Sequence, residues 1–507
     1  MSNGNTNAIA PNANRLLWVG FMAILAAGVG FGVRGGILAD WGTQFGFTQT
    51  QVGEVTGFGL VGFGVVILIG ALLADTIGYG RLMIAAFLCH FLGAALCLAA
   101  TPAYNAGEGH HQMAAYNFLK WGQIFFSVGN GLAEAVVNPL VAACFPTNRT
   151  HYLNILHAGW PAGLVLGSLA SYFMVGKTSW ETQWALFLIP VVIYGAMCLG
   201  QRFPKSEASV KGVSYASMLG EFAAPLLLLL LVIHAMVGYV ELGTDSWISQ
   251  ITGGIMANPA RGLLLFVYTS ALMCGLRFFA GPIVHKISPL GLLFISGILG
   301  CLGLNLLSSA SGVAACIVAA TVYALGKTFL WPTMLGVVSD RFPKGGAITI
   351  GAIGGVGMLS AGFLGGPGIG YKQDRFASEY LQEKNPAVYQ TYKADQTSKF
   401  LFFKEITGLD GAKKGAILGT ADDKLTPPQM IEKPLITEAN LHGGRMALKW
   451  TSIVPATMAV LYLLILLYFK MKGGYKTVHI EGTGRAAHEV AYALPDSPRR
   501  RLRAPPF

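Results

Sequence analysis

Apolar residues run along this chain in long, nearly unbroken stretches. They show neither the three-and-four spacing of a surface helix nor the alternation of a half-buried strand. About twelve stretches can be marked, near 15–40, 51–74, 82–102, 114–144, 151–175, 182–201, 222–248, 262–285, 289–309, 312–339, 347–370 and 447–469. Each reaches the roughly 20 residues that a helix needs to cross the hydrocarbon of a bilayer. In lipid, every backbone N–H and C=O must be bonded within its own segment, so runs of this length predict helices. The fold class expected is an all-α membrane protein with about twelve transmembrane helices.

The polar positions inside these runs carry the next signal. Arg34 lies in the first stretch, Glu134 in the fourth, Glu241 in the seventh and Lys327 in the tenth. An ionised side chain in hydrocarbon costs at least about 2.5–3.5 kcal/mol, so such residues face a cavity, a partner or a substrate path. Glu134-Ala-Val-Val-Asn-Pro139 and Lys327-Thr-Phe-Leu-Trp-Pro332 both set a charge five residues before a proline. Arg34 and Glu241 also correspond, each followed by a tryptophan, Trp41 and Trp247. The turns Phe145-Pro146 and Phe342-Pro343 continue the match, as do the Gly-rich helices after them, Gly159–Gly167 and Gly354–Gly365. The spacing predicts a duplication, two pseudo-symmetric six-helix bundles with charges of opposite sign at equivalent points.

Composition agrees with a membrane protein: the 507 residues are 53% hydrophobic and only 12% charged, about half the charge of a soluble domain. The net charge of +11 reads as topology rather than as a nucleic-acid footprint. Arg81, Arg149, Arg202, Lys205, Lys211, Lys286, Arg341 and Lys344 fall on one set of connections, and Lys472, Lys476, Arg485 and Arg499-Arg500-Arg501 on the tail. By the positive-inside rule both termini are expected in the cytoplasm, with the chain in a bacterial inner or plasma membrane. Residues 1–14 lack the basic region and cleavage site of a signal peptide and read as a cytoplasmic tail. The bundles are placed at 15–201 and 220–470, with a cytoplasmic linker at 202–219 and a basic cytoplasmic tail at 471–507. An insert at 371–445 is expected outside the membrane, with a helix over 374–392, and reads as a surface cap. The seven cysteines all fall in apolar runs without metal-ligand spacing, and His110-His111 reads as a bare surface pair. No cofactor, metal site or enzyme activity is expected.

The loop Gly70-Ala-Leu-Leu-Ala-Asp75-Thr-Ile-Gly78-Tyr-Gly80-Arg81 allows a tight turn at its glycines and sets an acid and a base as a conformational latch. It resembles the signature loop of the major facilitator superfamily. The second half has a degraded copy from Gly281 to Leu290, with His285 at the acidic position. The stretches Gly131-Leu-Ala-Glu134-Ala-Val-Val-Asn138-Pro139, Tyr152-Leu-Asn154-Ile-Leu-His157 and Glu241-Leu-Gly243-Thr-Asp-Ser-Trp247 are similar to the fucose–galactose–glucose/proton symporter group of that superfamily. The resemblance implies alternating access around a central site lined by segments one, four, seven and ten, with Glu134 a protonatable carboxylate beside the substrate. It also implies an acid in segment one, where this chain offers only Arg34 and Asp40.

The expected function is secondary active, proton-coupled uptake of a monosaccharide or related polyol by a monomer. Glu134 and Lys327 are expected to act across the halves, either as an exchanging proton site or as a permanent pin, and Arg34 and Glu241 either to face the cavity or to snorkel to the interface from the outer ends of their helices. Arg277 is expected to pair with Glu241 or Asp245, or to meet an anionic substrate. Asn138, Asn154, His157 and Trp331 are candidates for substrate contact. Two rivals stand beside this reading. One is an organic-anion transporter on the same fold, suggested by Arg34, Arg277 and Lys327. The other is a membrane sensor that binds without transporting.

Overall fold

The computed structural model describes residues 10–45, 49–106, 111–174, 177–210, 212–394 and 397–480. His110, Lys211, most of the first tail and the tail beyond Ile480 lie outside that set. Among the described residues 12 helices are long and apolar enough to cross a membrane. They are α1 (Ala13–Leu38), α2 (Gly59–Ile77), α3 (Tyr79–Tyr104), α4 (Gln112–Cys144), α5 (Arg149–Met174), α6 (Trp180–Cys198), α7 (Pro225–Ile255), α8 (Pro259–Arg277), α9 (Ala280–Ser309), α10 (Gly312–Arg341), α11 (Pro343–Lys384) and α12 (Pro427–Met471). Large apolar side chains such as Leu88, Phe173 and Val318 are exposed on the outside, whereas Gln123, Asn138, Arg277 and Lys327 are buried. That inversion is what a lipid surround requires: hydrocarbon accepts the apolar exterior and drives polar groups to the interior.

Glycines set the closest helix contacts. A methyl group added at Gly163 of α5 would stand 2.3 Å from Leu25 O of α1, and one at Gly238 of α7 would stand 2.0 Å from Gly357 O of α11. These are equivalent pairs in the two halves, and both depend on small residues letting backbones meet. The halves join along α2 and α11, where Gly351 packs on Ala71 and Gly355 on Leu68. Gly78, with φ 92, makes the turn from α2 to α3.

Several helices are irregular where the charges sit. α5 breaks at Ala158, α10 breaks at Thr328–Phe329, and α7 contains a π-helical turn at Tyr239–Gly243. The turn between α8 and α9 falls at Ser288, φ 66, just before Pro289; residues 280–287 thus continue the course of α8.

Asn12 donates to Gln201 Oε1 (3.1 Å), and Ile480 packs with Ala208, Met218 and Ile348. The start of the first helix, the linker and the end of the described tail therefore share one face, here called the linker face. The insert occupies the opposite one.

α11 runs on to Lys384 and α12 begins at Pro427, so much of 371–445 is helical extension of its flanking spans. The expected helix over 374–392 is divided at Asn385, whose side chain accepts from Val388 N (3.1 Å). Pro386 takes the first position of the new helix, a combination of cap and proline that starts helices. Leu381, Tyr389, Tyr392, Leu409, Ile436 and Ala439 form a separate small core there.

Candidate transport site

Five charged side chains, Glu134, Glu241, Asp245, Arg277 and Lys327, converge in the middle of the bundle, with Arg34 apart from them, and the two halves treat their charges differently. In the second half, Glu241 and Asp245 stand four residues apart on α7, so one helix presents two carboxylates in successive turns. Arg277 Nη2 bonds Glu241 Oε1 at 2.8 Å. Lys327 Nζ bonds Asp245 Oδ1. All four residues are buried or nearly so. Arg277 spends its remaining donors on main-chain oxygens, Nε on Thr328 O (2.8 Å) and Nη1 on His157 O (2.6 Å).

In the first half, Glu134 has no arginine or lysine in bonding range among the described residues. Its Oε2 accepts from Asn138 Nδ2 at 2.6 Å. Asn138 Oδ1 lies 2.8 Å from His157 Nε2, which is itself 4.0 Å from Glu134 Oε2. Because the amide donates to the carboxylate, its oxygen is the acceptor for His157, which assigns the ring proton to Nε2. The three side chains form a closed triangle between α4 and α5. Arg34 is separate: Nη1 donates to Gln123 Oε1 (3.2 Å) and the guanidinium lies 4.3 Å from the centre of Phe31. Phe31 in turn packs on Phe126 and Trp160 at 5.5 and 5.1 Å. Among the described residues no carboxylate is paired with Arg34.

The pairing expected across the halves is therefore replaced. Lys327 meets Asp245 rather than Glu134, and Glu241 meets Arg277. The reason is reach: α7 brings a second acid within range of Lys327, while Glu134 finds donors on its own helix and on α5. Asp245 as the partner of Lys327 was the residue that sequence symmetry missed, and its four-residue spacing from Glu241 was the available signal. Trp331 and Asn154, candidates for substrate contact, each have partners within the protein. Trp331 is buried against His234, ring centres 4.6 Å apart. Asn154 donates to Thr150 O (2.8 Å) and Thr333 Oγ1 (3.2 Å).

That last bond belongs to a seam that closes the linker face. Arg149 donates to Ser339 O (2.7 Å) and lies 4.0 Å from Asp340. Thr150 packs on Gly336, Asn154 bonds Thr333, and His157 O accepts from Arg277. The tail adds a second layer, with Tyr475 OH donating to Asp340 Oδ2 (3.1 Å) and Val478 N to Asp340 O (2.8 Å). Burial, and then the neighbouring Asp340 carboxylate, hold the Tyr475 phenol well above its ordinary range, so it stays a donor there. Of the expected latch, Gly70 packs on Ala135 of α4, Asp75 lies against Ser206 of the linker, Gly78 makes its turn, and Arg81 is exposed, with no ion pair to it among the described residues.

The comparisons with known proteins agree with this architecture. A cis,cis-muconate transport protein of Acinetobacter baylyi is 24% identical over 176 residues, 34% of this chain and 39% of that protein, so the alignment spans well under half of the relative. The crystal structure of the transporter FucP in the outward conformation superposes with TM-score 0.60 at 13% identity, over 88% of this chain and 98% of FucP. The proton:xylose symporter XylE, bound to 6-bromo-6-deoxy-D-glucose, gives 0.63 at 13% identity, over 90% and 95%. At such identity these two structures speak for the fold alone. Residues 20–366 match the family description of the Major Facilitator Superfamily; with its 12 spans and duplicated bundles around a buried charged centre, the chain is a membrane transport protein belonging to that superfamily.

Proposed function

We propose that this protein is a proton-coupled secondary transporter whose substrate is a small organic anion. The observation that carries the reading is the balance of charge at the centre. Three cations (Arg34, Arg277, Lys327) stand with three carboxylates (Glu134, Glu241, Asp245). Two of each are joined in internal pairs, which leaves one cation, Arg34, and one carboxylate, Glu134, without an ion pair among the described residues. A buried charge without a partner is costly, and an anionic substrate at Arg34 together with a proton on Glu134 would satisfy both without net charge. The Glu134–Asn138–His157 triangle gives the proton a route between α4 and α5. The aromatic cluster of Phe31, Phe126 and Trp160 offers the substrate an apolar wall beside the guanidinium. The muconate transport protein among the relatives handles an organic acid, in keeping with this choice.

The second reading keeps the proton and replaces the anion with a monosaccharide or polyol. It is favoured by the rings of Phe31 and Trp160, 5.1 Å apart, beside Arg34 and its partner Gln123, a combination of flat apolar surface with hydrogen-bonding groups that suits sugars. In either case the Lys/Arg bias supports a cytoplasmic linker face with the insert outside, and we infer a monomer in a bacterial inner or plasma membrane.

The test is uptake into proteoliposomes with an imposed pH gradient, using cis,cis-muconate, L-fucose and D-xylose as probes and an internal pH dye. Muconate-driven acidification with no response to the sugars supports the anion reading. The reverse pattern supports the sugar reading, and binding of any probe without flux would mean a sensor rather than a transporter.

A further inference from the structure

Arg277 does more than neutralise Glu241. A proline has no N–H, so the carbonyl four residues before it loses its helical donor. Pro161 leaves His157 O without a partner in this way, and Pro332 does the same to Thr328 O. These are the two carbonyls that Arg277 reaches, with Nη1 at 2.6 Å and Nε at 2.8 Å. One belongs to α5 in the first half and the other to α10 in the second, next to the breaks at Ala158 and Thr328–Phe329. The fork is buried, 1% exposed, and its third arm holds Glu241.

We propose that Arg277 is a positioning residue that closes the linker-face seam by supplying the donors that Pro161 and Pro332 remove. A guanidinium is suited to this because it offers five N–H groups in a fixed fork, whereas an ammonium is a single point of charge. An unsatisfied buried carbonyl is expensive, so with the seam shut the only low-energy arrangement keeps Arg277 in place. When the halves part on the linker face, His157 O leaves the fork and water entering the opened cavity takes over its bonding. The seam thus runs from the buried Arg149 near the linker-face end through Thr150 and Asn154 to Arg277 at the level of Glu134, and Arg277 is its innermost fastening. By holding His157 O, the fork also fixes the break in α5 from which the imidazole reaches Asn138. The charged or titratable side chains facing this region are Glu134, His157, His234, Glu241, Asp245 and Lys327.

The inference rests on alternating access but on neither the proton nor the substrate, and the test uses neither. Spin labels at Arg202→Cys and Lys286→Cys, exposed on the linker face of the two halves, are placed in a background without other cysteines in lipid nanodiscs. Pulsed electron resonance then reads the ratio of open to closed distances. Arg277→Gln with Glu241→Gln, which removes the fork without stranding a charge, should raise that ratio about tenfold, equivalent to about 1.4 kcal/mol. Adding Pro161→Ala and Pro332→Ala gives both carbonyls helical donors, and the same change at Arg277 should then move the ratio by no more than about threefold. Arg277→Lys keeps the charge on Glu241 but cannot span both carbonyls; it should show an intermediate shift, and it carries the comparison if the double variant does not fold. An unchanged ratio in these variants, or an equal shift with and without the prolines, would overturn the proposal. Failure of the Glu134 or Arg34 readings would leave it untouched.

Discussion

The two halves descend from one pattern, yet they use their central charges in opposite ways. The second half closes four charges into two pairs, Arg277–Glu241 and Lys327–Asp245, and its arginine also bonds one main-chain oxygen from each half. The first half leaves Glu134 with an amide and an imidazole, and Arg34 with an amide and a ring. Closed pairs fix geometry, and breaking one strands a buried charge. Open charges answer to whatever enters the cavity. The difference suggests a division of labour in which the second half is the frame and the first half the exchanging surface.

The largest expected effect is at Glu134. Glu134→Gln should abolish uphill, proton-driven accumulation while leaving substrate exchange between equal pools intact; accumulation that still follows the pH gradient would place the coupling site elsewhere. Next in size is the frame. Lys327→Ala strands Asp245 and should cost about 3–5 kcal/mol, read as a fall in thermal unfolding temperature in detergent. Lys327→Met with Asp245→Leu should recover most of it, and failure to recover would mean that the pair is not closed within the frame. A smaller effect is expected at Arg34. Arg34→Gln should weaken muconate competition by roughly ten- to hundredfold, the loss of a charged hydrogen bond worth about 1.5–3 kcal/mol, and leave sugar competition unchanged. Equal losses for both probes would blur the comparison between halves. Smallest of all, replacing residues 386–426 by a short flexible bridge between α11 and α12 should leave the exchange rate unchanged, because the insert has its own core and lies on the face away from the seam. Loss of substrate binding there would make the insert part of the site.

Much of this was legible in the chain itself. The twelve apolar runs, the Gly-rich faces of α5 and α11 and the charged positions could all be read because lipid imposes length and burial on every segment separately. Glu134, Asn138 and His157 were singled out from local stretches and do meet. Arg277 was expected to pair with Glu241 or Asp245 and does meet Glu241; the partner of Lys327 was not legible. Symmetry aligns α4 with α10 and α1 with α7, but bonding depends on which side chains end within about 3 Å of each other, and Asp245 lies outside the repeated pattern. Within the insert only a helix over 374–392 was expected; that α11 runs on to Lys384 and α12 begins at Pro427 was not legible, since polar residues after Gly370 signal the end of the membrane and not the end of a helix.

The sequence alone determined that the chain spans a membrane in two related halves, that a handful of charges must lie inside, and that Pro161 and Pro332 would each leave a carbonyl without its helical donor. Those are local consequences of solvent, period and covalent structure. Only the tertiary structure decided which charges cancel, which remain open, and that a single guanidinium from α8 meets both stranded carbonyls. Such choices are made by the packing of distant helices, where distance and direction settle the outcome and residue type does not.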